Sequence, residues 1–213
     1  MSSGILEKLA DRTLTPRGLF QKVYEDSSLI PDIVNGLYST RASVRYGCAK
    51  VLTDLSCVCP EKLYPFMDSF IDLLDSRYRI LVWNAMAIIA NLAPVDRDRK
   101  FDEIFDKYYD FMNDEYMATV ANVVGNSGRL ALAKPHLIDK ITDKLLEVEN
   151  LRTTPHMTKE CTRVIAEKVI DSLDMFFDRI EQKRKVVSFV EKYVDSSRKT
   201  LREAANNFLE KWA

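Results

Sequence analysis

The chain has 213 residues, of which 46% are hydrophobic and 30% charged, and its 31 basic and 32 acidic side chains leave a formal net charge of −1. That composition belongs to a globular protein with apolar side chains enough for a sizeable core. The near-neutral balance excludes a general electrostatic attraction to nucleic acid or to an anionic membrane.

Six glycines and seven prolines are few for this length, which favours long helices over a turn-rich β architecture. The N-terminal stretch MSSGILEKLADRT has no basic segment followed by a long apolar one, so no secretory signal is expected and the cytoplasm is the expected location. Residues 1–28 are expected to hold one or two short helices, the second starting at Thr15-Pro16, with proline at the first helical position. Leu29, Ile30, Ile33, Val34 and Leu37 then share one helical face, and a second helix runs from about Arg41 to Val58. Pro60 opens the helix PEKLYPFMDSFIDLL, which ends at Asp75-Ser76.

Next comes the most apolar stretch, RYRILVWNAMAIIANLAP (77–94). Between Ile80 and Ala93 only Asn84 and Asn91 are polar, and the small and unbranched residues suit a helix. A helix apolar almost all round has to be covered on several sides. Its two asparagines lie seven residues apart and so mark one narrow accessible strip. The run is too short to span a bilayer, and no membrane partner is expected. Beyond it, Pro135 opens a helix through Glu149, a long helix is expected from about His156 to Ile180, and KRKVVSFVEKYV and SRKTLREAANNFLEKWA form a last pair.

An internal repeat organises these elements. A shift of 37 positions lays Val34, Leu37, Ser39, Tyr46, Val51, Leu52 and Leu55 on Ile71, Leu74, Ser76, Trp83, Ile88, Ile89 and Leu92. A further shift of 38 lays IDLLDSRY (71–78) on YDFMNDEY (109–116), Asn84 on Asn122 and Leu92 on Leu130. A period in this range with two helices per unit marks an α-solenoid.

The first helices LIPDIVNGL, FIDLLDS and YYDFMND, each followed by a tight break, precede second helices beginning STRASVRYGCAKVL, SRYRILVWNAMAII and DEYMATVANVV. In this pattern the chain resembles the HEAT/armadillo repeat superfamily over about residues 28–213. The resemblance implies an all-α, right-handed solenoid of about five helix pairs. It is read as one domain: residues 1–28 as N-terminal cap, 28–133 as three regular pairs, and 134–213 as two less regular pairs with a C-terminal cap that includes Trp212. Trp83 aligns with Tyr46 and is expected to be largely buried between units.

No residue set stands out for catalysis, a metal or a cofactor, and none is expected. Cys57 and Cys59 lack two further ligands at useful spacing and read as buried structural thiols. His136 and His156 each adjoin a proline, without a His-Glu pair. Gly125-Asn126-Ser127-Gly128 neither follows a strand nor ends in Gly-Lys-Ser/Thr, so a kink or a close helix approach is expected there, not a phosphate loop. Residues 96–115 carry eight acids against four bases, and residues 179–202 are basic; most of this charge reads as solvated helix face.

The two shifts also align Gly47, Asn84 and Asn122; Lys50, Ala87 and Gly125; and Asp54, Asn91 and Arg129. These positions recur at i, i+3 and i+7, so each second helix turns a small or polar strip to one side. In the resembling family second helices line the concave side. The resemblance therefore implies a non-enzymatic interaction scaffold that binds a protein or extended peptide there. The expected contact residues are Lys50, Asp54, Asn84, Asn91, Asn122, Asn126, Arg129, Arg163, Glu167 and Asn206. Asparagine carries a donor and an acceptor, so a row of them suits a peptide backbone. The alternative is a DNA-binding or DNA-repair protein resembling the HEAT-like alkylpurine glycosylases, against which the near-neutral charge argues.

Overall fold

The structure, a computed structural model, describes residues 3–151 and 153–212. Met1, Ser2 and Ala213 of the expected caps, and Arg152 of the loop after Asn150, lie outside the described residues. Every regular element among the described residues is helical. The chain divides into two compact units, Met1–Ile104 and Phe105–Ala213.

The first unit opens with α1 (Ser3–Ala10) and α2 (Pro16–Glu25). Thr15 caps α2 by accepting from Gly18 N at 3.1 Å, with Pro16 at the first helical position. The pair α3 (Ile30–Gly36) and α4 (Ala42–Val58) follows. The expected helix from Pro60 is interrupted: α5 (Pro60–Leu63) and α6 (Met67–Asp72) are separated by a 3₁₀ turn at Tyr64–Phe66. Pro65 sits in that turn, where its missing N–H and its ring break the α-helical ladder. The long apolar helix is α7 (Arg79–Leu92), and the short α8 (Lys100–Glu103) ends the unit. Asp96, 7% exposed, accepts from the backbone of Lys100 and Phe101 and from the Tyr64 hydroxyl, at 2.9–3.0 Å. Withdrawal from water, joined by the Asp96 and Asp98 carboxylates and opposed by the bond from the Asp98 backbone N–H, pushes the Tyr64 hydroxyl up to about 12.

Burial in α7 follows its sequence. Leu81, Val82, Ala85, Met86, Ile88, Ile89, Ala90 and Leu92 are buried, whereas Trp83, Asn84, Ala87 and Asn91 form a half-buried strip. Trp83 belongs to that strip and is not a fully buried core residue. Against α4, close packing depends on Gly36 and Gly47: a Cβ on Gly36 would lie 2.4 Å from Cys48 Sγ, and one on Gly47 would lie 2.8 Å from Leu9.

The second unit contains α9 (Phe105–Asp110), α10 (Met117–Ala133), α11 (Ile138–Leu146), α12 (Lys159–Asp174), α13 (Lys183–Glu191) and α14 (Lys199–Trp212). The expected long helix from His156 is trimmed at both ends. Thr158 caps α12 by accepting from Cys161 N, and α12 stops at Asp174 before a 3₁₀ turn at Phe177–Arg179. The helix α10 runs unbroken through Gly125 and Gly128. Gly128 marks a close helix approach, since a Cβ there would lie 3.1 Å from Ser172 O of α12, and Ser172 Oγ donates to Val124 O at 2.6 Å. The Trp212 indole donates to Asp174 at 2.5 Å and packs against Phe177, which closes α14 onto the end of α12.

One local device recurs at the repeat period. The shift-aligned Ser39, Ser76 and Asp114 each accept, through the side chain, the backbone N–H two residues on (3.2, 3.2 and 2.8 Å), and Ser196 does the same at 3.3 Å. Each bond satisfies the backbone just before α4, α7, α10 and α14 and fixes where the helix starts. Arg45 adds a lock to the first of these turns: its Nη1 donates to Ser39 O at 2.7 Å. Arg202 makes the same six-residue reach to Ser196 O at 2.7 Å.

Candidate functional site

The strips read from the sequence are second-helix faces, and the structure shows how each of their side chains is used. On α4, Lys50 is exposed and pairs with Asp54 at 2.5 Å, an i,i+4 contact on one face. On α7 the asparagines turn toward α4. Asn84 accepts from Thr53 Oγ1 at 2.7 Å and donates to Ile80 O at 2.6 Å. Asn91 donates to Ser56 Oγ at 2.8 Å and to Cys57 Sγ at 3.1 Å. Both amides therefore stitch two neighbouring helices together while staying half-buried.

In the second unit Asn122 is half-buried and donates to Ala118 O at 2.8 Å. Asn126 is 4% exposed, with its amide oxygen accepting from Arg129 and its side chain bonded to the buried Tyr108 hydroxyl. Arg129 is exposed beside it. Arg163 and Glu167 on α12 belong to an ionic cluster centred on Arg198. Its guanidinium donates to Glu167 and to Glu160 at 2.7 Å each, Arg163 adds a 3.2 Å bond to Glu160, and Thr200 donates to Glu167 at 2.6 Å. Burial acts to raise the Glu167 carboxyl, but the Thr200 and Arg198 bonds outweigh it and hold it below its ordinary value. The bonds from Arg198 and Arg163 likewise lower Glu160. Asn206 on α14 is exposed and donates to Arg202 O at 2.8 Å.

An open apolar surface lies between α1–α2 and α4. One cavity of about 430 Å³ is lined by Leu9, Arg12, Leu14, Thr15, Pro16, Ser43, Tyr46 and Gly47. Another of about 600 Å³ is lined by Pro16, Arg17, Phe20, Lys50, Asp54, Cys57 and Val58. They share Pro16 and follow successive turns of α4, so together they form one groove. Tyr24, 49% exposed, stacks on Phe20 with centroids 5.9 Å apart, and Val58 is 57% exposed. Of the expected contact residues only Lys50 and Asp54 line this groove. From the sequence, residues 1–28 are expected only to cap the stack, which leaves out Arg12, Arg17, Phe20 and Tyr24, and Val58 at the end of α4 falls outside the polar strip. A signal was present: Phe20 and Tyr24 lie at i, i+4, one position off the buried stripe of Leu19 and Val23.

Cys57 is exposed in the groove, which corrects its reading as a buried thiol; Cys59 and Cys48 are buried. Burial pushes the Cys48 thiol up to about 12, far from a reactive thiolate. Among the described residues no group of three or more His, Cys, Asp or Glu side chains is placed to hold a metal ion. His156 is exposed and stacks on Tyr116 at 4.9 Å. No helix among the described residues is long and apolar enough to cross a membrane.

No family model and no curated protein matches the sequence. The fold does match solved structures. A designed armadillo repeat protein in complex with the peptide (KR)4 superposes with a TM-score of 0.61 at 15% identity, over 98% of this chain and 91% of that one. A computationally designed armadillo repeat protein for modular peptide recognition gives 0.57 at 15% identity, over 98% and 90%. An engineered protein gives 0.53 at 16%, over 96% and 86%. The protein thus has an all-α helical repeat fold of the armadillo/HEAT type.

Proposed function

We propose that this protein is a non-enzymatic repeat scaffold that binds a peptide segment of a partner protein on its second-helix surface. The observation that carries this reading is the groove beside α4, where Phe20, Tyr24 and Val58 present apolar surface next to the polar Lys50–Asp54 pair. Concave sites with an apolar floor and a few placed polar groups are where ligands bind. Two of the similar solved structures support it by analogy, one being a peptide complex and the other designed for peptide recognition.

The nucleic-acid alternative draws little from the basic 179–202 stretch. Lys185, Lys192 and Arg198 stand beside Asp143, Glu149 and the Glu160–Glu167 pair, so much of that charge is already compensated. A phosphate-binding track needs cations free to neutralise phosphates and so displace the counterions condensed on the nucleic acid.

Panning a random peptide display library on the immobilised full chain tests the proposal. Enriched peptides, resynthesised and followed by fluorescence anisotropy, are expected to bind saturably. A chain that enriches no peptide over an empty support would sink the scaffold reading.

A further inference from the structure

We infer that the groove between α1–α2 and α4 takes a short acidic, apolar segment of a partner protein, laid lengthwise along α4. The inference rests on the peptide-scaffold reading and adds to it the place, the direction and the chemistry of the ligand.

Direction follows from the lining of α4. Ser43, Tyr46, Gly47, Lys50, Asp54, Cys57 and Val58 recur at three- and four-residue steps, so they form one continuous face along the helix. From Ser43 to Val58 that face is about 22 Å long at 1.5 Å per residue. An extended segment of about seven residues covers the same distance. A ligand lying across the helices would instead meet α7, where Asn84 and Asn91 are engaged with α4.

Apolar character follows from the floor, which is Leu14, Pro16, Phe20 and Tyr46, with Tyr24 and Val58 exposed beside it. Contiguous apolar surface rimmed by charge is a mark of an interaction site. Sign follows from the charges. Arg12, Arg17 and Lys50 line the groove, and Asp54 is its one acidic lining residue. Lys50 and Asp54 neutralise each other at 2.5 Å, so Arg12 and Arg17 carry the net charge of the lining. Arg12 and Arg17 are exposed and make no side-chain hydrogen bond or ion pair with the described residues. Beyond the end of α4, Lys62 stands 5.8 Å over the Tyr24 ring. Positive charge therefore recurs along the groove, and complementarity selects carboxylates spaced between apolar side chains. This is the opposite sign to the (KR)4 peptide bound by the designed armadillo protein.

Fluorescence anisotropy on the full chain tests this with three labelled peptides of about seven residues. One alternates glutamate with leucine and phenylalanine, and the others carry glutamine or lysine in place of glutamate. The acidic peptide is expected to bind about tenfold or more tightly than the neutral one, and to weaken as salt rises, because the charges are exposed. Arg12→Glu with Arg17→Glu should abolish that preference, and Val58→Asp should weaken all groove binding. An Arg129→Glu change in the second unit should leave it unaltered. All these side chains are exposed, and circular dichroism checks that each variant keeps its helix content.

Equal binding of all three peptides, or acidic binding indifferent to the arginine changes, overturns the inference and leaves the scaffold reading in place. A concentration-dependent dimer dispersed by Val58→Asp also overturns it, since a second copy of the chain would then fill the groove. If neither these peptides nor any displayed library member binds, both readings fall.

Discussion

Arg45 is 5% exposed, and no carboxylate among the described residues pairs with it. Its guanidinium lies 3.8 Å from the centroid of the Tyr78 ring and 4.8 Å from that of Tyr46, while Nη1 holds Ser39 O. Two ring faces and a turn carbonyl thus replace the usual counter-ion. Replacing Arg45 with leucine strips the turn before α4 of its lock and leaves a carbonyl unpaired. The expected cost is about 2–4 kcal/mol in urea unfolding, and an unchanged midpoint would contradict this account. Arg198 offers a pH-dependent counterpart. Glu160 and Glu167 have their carboxyls lowered below the ordinary 4.5 by bonds that include those from Arg198. A depressed carboxyl contributes stability above its unfolded value and loses it as pH falls through the folded one. The stability gap between the natural chain and Arg198→Ala should therefore be full at pH 7 and close as pH drops below 4.5. Thermal melts across that range decide it; a constant gap would show that the cluster's protonation is not coupled to folding.

Two glycines three residues apart in α10 should respond with opposite signs. Nothing lies within 4 Å of a Cβ built on Gly125, which is exposed. Gly125→Ala should stabilise by about 0.5–1 kcal/mol, because glycine in a helix interior costs conformational entropy. At Gly128 the added methyl meets Met175 Sδ and the Ser172 backbone carbonyl, and α12 has to shift. Gly128→Ala should destabilise by about 1–3 kcal/mol, and chemical denaturation of the pair reads both signs in one experiment. The terminal helix gives a larger test. α14 buries Leu201, Ala205 and Phe208 and ties Trp212 and Lys211 to Asp174. Deleting residues 201–213 should leave apolar surface uncovered and convert a well-behaved protein to aggregate on gel filtration. A soluble, fully helical monomer after truncation would remove α14 from the role of cap.

For the molecule as a whole, charge is the property that bears on partners. The net charge is −1, and Lys185, Lys192 and Arg198 stand beside carboxylates, which breaks the run of free cations in the basic 179–202 stretch. In a duplex-shift assay the protein should show no retardation at physiological salt, and weak binding at low salt should vanish steeply as salt rises. Salt-resistant retardation would favour the nucleic-acid alternative over the peptide scaffold. The proposed acidic ligand of the groove beside α4 is compatible with the near-zero total, because local sign, not net charge, would select it.

The helical repeat was legible because its determinants are local. The apolar periodicity of α4, α7 and α10 encodes their buried faces, and Ser39, Ser76 and Asp114 lock the preceding turns within two residues of themselves. Bonds of such short reach recur wherever the sequence recurs, so a shift of the chain on itself finds them. Pro65 announced its break in the same local way, although the apolar run around it hid the interruption. What the sequence left open was the direction of each polar strip and the occupant beside it. Asn84 and Asn91 look alike in sequence whether they face a ligand or a neighbour. Only the approach of Thr53 and Ser56, about thirty residues earlier, turns them inward. The groove is likewise a product of tertiary packing. Its walls come from α1–α2 and α4, separated by the whole of α3, and no periodicity within one helix can show which surface the next one leaves uncovered.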